Sequence, residues 1–252
     1  MRSRLPPGLL VSVRSAAEAV EAVAGGATIV DVKEPGQGSL GRADPGTTAD
    51  VIRVVGPRAA CTLACGELAD GPAAIIDHLR AVADRVGAGG GRPAAIKAGP
   101  AGLDREAWRQ AFAAVAAALP AGIEAVAVAY ADWETCGAAD PGFLIDAAAA
   151  CGATAILIDT CDKTGPGLLQ RHPAGRVGEW VAKARASGML VALAGRLTPA
   201  DVAVARCLAP DVVGVRSAAC VGGRLGRVDR EHVGRLVATL ELVGPAAMTA
   251  SS

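Results

Sequence analysis

Lysine is scarce in this sequence: of 25 basic residues in a chain of 252, four are lysine. Arginine does the ordinary surface work. Arginine cannot become a neutral amine, whereas a partly desolvated lysine can lose its proton and attack a carbonyl. Three of the four, Lys33, Lys97 and Lys163, stand at or just beyond the ends of apolar runs, which marks them for chemistry. Lys183 is the contrast, four residues after Glu179 in a helical pattern, the spacing of an exposed ion pair. Aromatics are scarcer still, 2% of the chain against 52% hydrophobic residues overall. The core therefore has to be Ala, Val, Leu and Ile packed between closely approaching elements.

An excess of one charge is also missing. Acidic and basic residues balance at 25 each with no long run of either, which excludes a nucleic-acid surface and a polybasic membrane anchor. The most apolar stretch, Ala111 to Ala129, is broken by Pro120, Gly122 and Glu124, so no membrane span is expected. Behind Pro6-Pro7, Leu9 to Val13 is too short for a signal-peptide core, and a cytoplasmic location follows as the expectation. The three histidines, His78, His172 and His232, are scattered, and none lies within four residues of another His or of a Cys. No metal site is expected from that spacing, and no other cofactor is called for. His172 and the tryptophans read as packing or surface. The seven cysteines are an odd number without paired C-x-x-C spacing and read as reduced.

What the chain does have is periodicity. β-Branched apolar runs alternate with Ala-rich amphipathic segments, predicting strands at Leu9–Val13, Thr28–Lys33, Ala59–Ala64, Ala94–Ala98, Ala125–Ala129, Ala155–Asp159, Leu190–Ala194 and Val212–Arg216. A helix follows each. Ser15 with Glu18 reads as a capping box, and Asp140-Pro141 and Thr198-Pro199 read as caps with a first-turn proline. The last helix is placed at about Asp229 to Leu242, ended by Gly244-Pro245. Eight βα units without a hairpin signal predict an α/β single-domain (β/α)8 TIM barrel over residues 1–245, with 246–252 a disordered tail. An open doubly wound sheet is the alternative. In a barrel the active site lies at the carboxyl ends of the strands.

Four polar clusters fall at that address. Asp31 and Lys33 are two apart on a strand, so they share a face, and a Gly-rich loop to Gly41 follows them. Lys97 ends an apolar run in the fourth strand before Gly99-Pro100, and Asp159 ends the sixth strand, with Lys163 able to fold back over it. Singly, each of these also fits a structural ion pair or a surface lysine. Together they bring three lysines from alternate staves towards one cavity, where clustered amines and apolar walls depress amine pKa values. Asp31 or Asp159 would hold a second lysine charged or relay protons. The fourth cluster, Gly195 and Arg196 after the seventh strand and Arg216, Ser217 and Ala218 after the eighth, occupies the loops that most often bind phosphate in such barrels.

The same residues carry a resemblance. Asp31-Val-Lys33-x-Pro with Gly38-Ser-Leu-Gly41, Ile96-Lys97-x-Gly99, Ala129-Tyr-Ala-Asp132, Asp159-Thr-x-x-Lys163, Ala192-Leu-Ala-Gly195 and Val213-Gly-Val-Arg216-x-Ala-Ala-Cys220 make up its motifs. With these the chain resembles the (5-formylfuran-3-yl)methyl phosphate synthases, also called 4-(hydroxymethyl)-2-furancarboxaldehyde phosphate synthases, of methanofuran biosynthesis. The resemblance implies a TIM barrel that joins two glyceraldehyde 3-phosphates into the furan phosphate, releasing one phosphate and two waters. It implies Lys33 as the Schiff-base lysine and Lys97 as proton acceptor, with Asp31, Asp159 and Lys163 assisting. The chain departs from the family pattern at 165–170, after Lys163, and at Arg196 and Ser217, where smaller residues are usual. A sugar-phosphate aldolase and a non-catalytic phosphate-metabolite sensor stay open as alternatives. A small triose phosphate is the expected partner, and homo-oligomerisation is left undecided.

Overall fold

The computed structural model describes residues 2–241. The expected end of the last helix at Gly244-Pro245 and the tail at 246–252 lie outside the described residues. Eight parallel strands close into a barrel: β1 (Gly8–Val13), β2 (Ile29–Val32), β3 (Ala60–Glu67), β4 (Ala95–Gly99), β5 (Glu124–Tyr130), β6 (Ala155–Asp159), β7 (Leu190–Leu193) and β8 (Val212–Val215), the last pairing back onto β1. Each agrees with its predicted span to within three residues at either end. The helices are α1 (Ala16–Ala24), α2 (Pro45–Val55), α3 (Gly71–Val86), α4 (Arg105–Ala118), α5 (Pro141–Ala150), α6 (Leu168–Arg171), α7 (Ala174–Ala186), α8 (Pro199–Cys207) and α9 (Arg230–Glu241).

Their starts follow from local chemistry. The Asp140 side chain accepts from the Phe143 N–H ahead of Pro141, and Thr198 with Asp201 forms a reciprocal capping box ahead of Pro199. Two elements were not predicted. The single-turn α6 sits in the loop after β6. An antiparallel ribbon, β9 (Cys220–Val221) with β10 (Arg227–Val228), occupies the loop after β8. Its strands are two residues long, too short to leave a period-2 pattern in the sequence.

Alternation along the strands sorts the side chains into two cores. Val30, Val32, Ile96, Ile156 and Ile158 face the helices, while Leu10, Ile29, Ala95, Val128 and Leu157 fill the barrel. The tryptophans and Phe112 pack outside the barrel, with Trp108 stacked on Phe112 and Trp133, His172 and Trp180 in contact, while Tyr130 lies in the interior. His172 also bonds the Ala131 carbonyl at 2.8 Å, consistent with its reading as packing. Above the apolar interior, the same inward positions become polar: Ser12, Asp31, Thr62, Lys97 and Asp159 are all buried. That switch at the carboxyl ends of the strands defines the site.

Candidate active site

Asp31 sits inside the barrel at 1% exposure. A carboxylate so buried has to be compensated, and three strands supply the partners. The Thr62 hydroxyl on β3 donates at 2.8 Å, the Ser12 hydroxyl on β1 donates at 3.2 Å, and the Lys97 ammonium on β4 lies at 2.6 Å. The expected neighbour, Lys33, shares its face but is not its contact partner. Residues two apart on a strand are about 7 Å apart, whereas Lys97 reaches the carboxylate from across the interior. The acid–amine pair is therefore Asp31–Lys97.

Asp159 and Lys163 form a second pair at 2.6 Å, and Lys163 also donates to the Thr160 hydroxyl at 3.2 Å. Burial alone would raise the Asp159 pKa, but the ammonium groups of Lys163 and Lys33 outweigh it and the net shift is downward. The turn carrying Lys163 is held from β5: buried Asp132 accepts the N–H of Cys161 at 2.6 Å and of Asp162 at 2.8 Å. Asp132 belongs to a motif noted in the sequence without a role. Its geometry makes it the residue that positions Lys163.

Lys33 differs from the other lysines. Lys97 has Asp31, Lys163 has Asp159, and Lys183 has Asp146 at 2.7 Å with the Gly142 carbonyl at 2.9 Å. Lys183 thus bridges α7 to α5 and does not pair with Glu179, which is held by Arg176. Among the described residues, Lys33 alone of the lysines has no carboxylate within ion-pair distance; its one contact is the Ser39 carbonyl at 3.5 Å. Burial lowers its pKa to about 7, with Lys163 and Arg224 adding to the fall and Asp159 and Asp31 opposing it. Lys33, Lys97 and Lys163 line one cavity, as the alternate-stave argument expected. The Gly-rich loop after β2 is packed into the mouth beside them. The Ser39 hydroxyl donates to the Thr160 carbonyl at 2.8 Å and Leu40 joins the interior core.

The far side of the cavity holds the residues expected to bind phosphate, and here one expectation is overturned. Arg216 is 5% exposed and all five of its N–H donors are engaged. They meet both carboxylate oxygens of Glu18 and the carbonyls of Ser12 (3.0 Å), Arg224 (3.0 Å) and Gly226 (2.7 Å). No N–H is left for a substrate anion, so its guanidinium is a structural pin joining β1, α1 and the β9–β10 ribbon. Glu18 correspondingly turns away from its expected capping role: Ser15 caps the Glu18 N–H, while the Glu18 carboxylate takes Arg216 and the Arg14 N–H. Arg196 is exposed, has a left-handed φ of 55°, and donates to the Gly165 carbonyl. Gly195, Arg196 and Ser217 line the cavity; Ala218 lies beside them in a short turn, half-buried.

Two further groups at this end of the barrel escaped the sequence reading. Glu67, ending β3, accepts from the Tyr130 hydroxyl at 2.9 Å and from the Ala101 N–H at 3.1 Å, and burial raises its pKa. Tyr130 is the only tyrosine in the chain, which was the available signal. A Cβ on Gly99 would overlap the Glu67 carboxylate and the Tyr130 hydroxyl. Gly99→Ala is therefore expected to cost about 1–3 kcal/mol, as overpacking does, read as a lowered denaturant midpoint. An unchanged midpoint would mean that this pair is free to shift. The other missed group is Arg224, half-buried at the cavity rim.

Comparison with known proteins identifies the family and the fold. The profile of the 4-HFC-P synthase family matches residues 9–237. Relatives named (5-formylfuran-3-yl)methyl phosphate synthase include that of Archaeoglobus fulgidus, 33% identical and aligned over 91% of this chain and 97% of its own. Those of Methanopyrus kandleri and Methanocaldococcus jannaschii are each 34% identical, covering 92% and 90% of this chain and 98% and 97% of theirs. Among solved structures, phosphoribosyl anthranilate isomerase from Thermus thermophilus superposes with TM-score 0.63 at 17% identity, over 96% of this chain and 99% of that one. The 3-hexulose-6-phosphate synthase from Salmonella typhimurium gives 0.61 at 15% identity, over 93% and 99%. These two show the barrel fold.

Proposed function

The chain belongs to the 4-HFC-P synthase family, and from that premise we propose that it condenses two glyceraldehyde 3-phosphates through an imine on Lys33 into the furan phosphate. The observation that carries this reading is the unpaired state of Lys33 beside two carboxylate-paired lysines in one cavity. An amine held free of ion pairs in an apolar, cation-rich pocket keeps a lone pair near neutral pH. Attack on the triose aldehyde and loss of water give a protonated imine, which acidifies the neighbouring carbon. The Lys97–Asp31 pair then accepts that proton. The enamine forms the carbon–carbon bond with the second triose; a hydroxyl of that triose then adds to the imine carbon and displaces the Lys33 amine, closing the ring, and loss of one phosphate and one further water makes it aromatic. Lys163, fixed by Asp159 and Asp132, supplies a positive charge and a proton to departing oxygen. Gly195, Arg196, Ser217 and Ala218 bind substrate phosphate in this reading.

The neutral amine is the attacking form, so the sign of the pH effect is set by Lys33. With its pKa lowered to about 7, imine formation at low triose concentration is expected to rise with pH through that value. Below it, the rate should fall by about tenfold per pH unit. A profile flat across this range would remove Lys33 as the titrating nucleophile. Product identity is tested by incubating the protein with glyceraldehyde 3-phosphate and recording product masses. The expected product has the mass of two substrates less one phosphate and two waters. A simple sugar-phosphate aldol, formed reversibly, would favour the aldolase reading instead, and no conversion would contradict both.

A further inference from the structure

Among the described residues, two arginines lining the cavity, Arg196 and Arg224, have no carboxylate within ion-pair distance, and of these Arg224 is the half-buried one. It lies between the two strands of the β9–β10 ribbon, where Gly222 and Gly223, at φ of 84° and 75°, turn the chain back. The ribbon is fixed from below, because Arg216 takes the carbonyls of Arg224 and Gly226 while bound to Glu18. The backbone of Arg224 is thus held, and its side chain lines the cavity that Lys33 and Lys163 also line, close enough for its charge to act on Lys33. Its protein hydrogen-bond partner is the Gly38 carbonyl at 3.1 Å. Arg14, Arg42, Arg216 and Arg230 in neighbouring loops and helices all have carboxylates. Among the described residues Arg224 has none within ion-pair distance.

The charge around it is unbalanced. The cavity is lined by six basic side chains, Lys33, Lys97, Lys163, Arg196, Arg216 and Arg224, against two acidic ones, Asp31 and Asp159, each already paired with a lysine. A half-buried guanidinium with open donors in such surroundings is stabilised by an anion, and its planar fork matches phosphate oxygens.

We propose that Arg224 grips the phosphate of the triose captured by Lys33, the anion-binding role that Arg216 cannot fill. The proposal rests on the reading of a phosphorylated aldehyde as substrate. It adds a second phosphate position to the loop residues after β7 and β8, which a reaction between two phosphorylated molecules requires, since two dianions repel when held together. A triose joined to Lys33 through its first carbon carries its phosphate two carbons further on, inside the cavity that Arg224 lines. The contact with Gly38 places this grip at the seam between the ribbon and the loop after β2.

The test compares wild type, Arg224→Ala and Arg224→Lys in two measurements. In the first, borohydride trapping on Lys33 is titrated with glyceraldehyde 3-phosphate and with unphosphorylated glyceraldehyde. In the second, inorganic phosphate binding is followed by calorimetry. Arg224→Ala should raise the half-saturating concentration of the phosphorylated aldehyde by about 10- to 100-fold, the scale of a charged hydrogen-bonded contact. With the titrations run about two pH units above the Lys33 pKa of about 7, where loss of the Arg224 charge leaves the amine neutral, capture of glyceraldehyde should change by less than about two-fold, phosphate binding should weaken in parallel, and Arg224→Lys should recover part of both. Equal losses for the two aldehydes, or phosphate binding unchanged in Arg224→Ala, would overturn the assignment. If wild type gives no adduct with either aldehyde, the imine reading fails by itself, and phosphate calorimetry still decides whether Arg224 holds the anion.

Discussion

Lys33→Ala is expected to lower furan formation by roughly 10⁴-fold or more, the scale on which removal of a covalent nucleophile is felt. Lys33→Arg should be equally inactive. It keeps a cation beside Asp159 and Lys163 but offers no neutral nitrogen at any working pH. Both variants should stay folded, because Lys33 has no carboxylate that its loss would leave unpaired. In Lys33→Ala the loss of a buried, partly neutral amine also removes a desolvation cost, so the melting temperature should hold or rise, whereas Lys33→Arg buries a permanent charge near Lys163 and Arg224 and should melt lower. Rates within about tenfold of wild type in either variant would show that the lone amine is not the nucleophile.

Lys97 is expected to behave differently, because it has two tasks. Lys97→Arg keeps a cation near Asp31 but replaces an ammonium that can hand its proton to that carboxylate with a guanidinium that cannot, so proton uptake by the pair is lost and turnover should fall by about 10²–10⁴-fold, the usual size of a general acid–base contribution. Imine capture on Lys33 should persist. Lys97→Ala should in addition destabilise the fold by about 3–5 kcal/mol, the cost of leaving a buried charge without its partner. Asp31 at 1% exposure would then keep only the Ser12 and Thr62 hydroxyls. Chemical denaturation measures that loss, and steady-state turnover of the arginine variant measures the other. Lys183→Arg is the control: an exposed bridge to Asp146 should tolerate the change within about 0.5 kcal/mol and leave turnover unaltered. Full activity in Lys97→Arg would mean that Lys97 acts as a fixed charge, with proton removal falling to Lys163 or Asp159.

The contrast between these lysines shows which parts of the site could be read from the sequence. Strand alternation is local, so Asp31 and Lys33 on one inward face, Lys97 on the inward face of β4 and Asp159 at the end of β6 all follow from a period of two. Their convergence follows from barrel closure. Which amine meets which acid does not, because it depends on side-chain reach across the interior. Asp31 took Lys97 from a strand two staves away and left Lys33 alone. Arg216 failed for the same reason. Its position in a phosphate-type loop was legible, but Glu18, 198 residues away in sequence, already occupied it. Arg224 lay in a ribbon too short to show periodicity, and Glu67 meets Tyr130 over a separation of 63 residues. Asp132 was visible as part of a motif, yet its work is to accept two N–H groups from the next loop.

The central claim is that Lys33 is the amine that captures the substrate. Its most direct test is reduction of the enzyme with borohydride in the presence of glyceraldehyde 3-phosphate, followed by proteolysis and mass spectrometry of every lysine-containing peptide. The expected result is a triose-derived mass on Lys33, absent without substrate and absent from Lys33→Arg. The adduct found instead on Lys97, Lys163 or Lys183, or on no lysine, would contradict it.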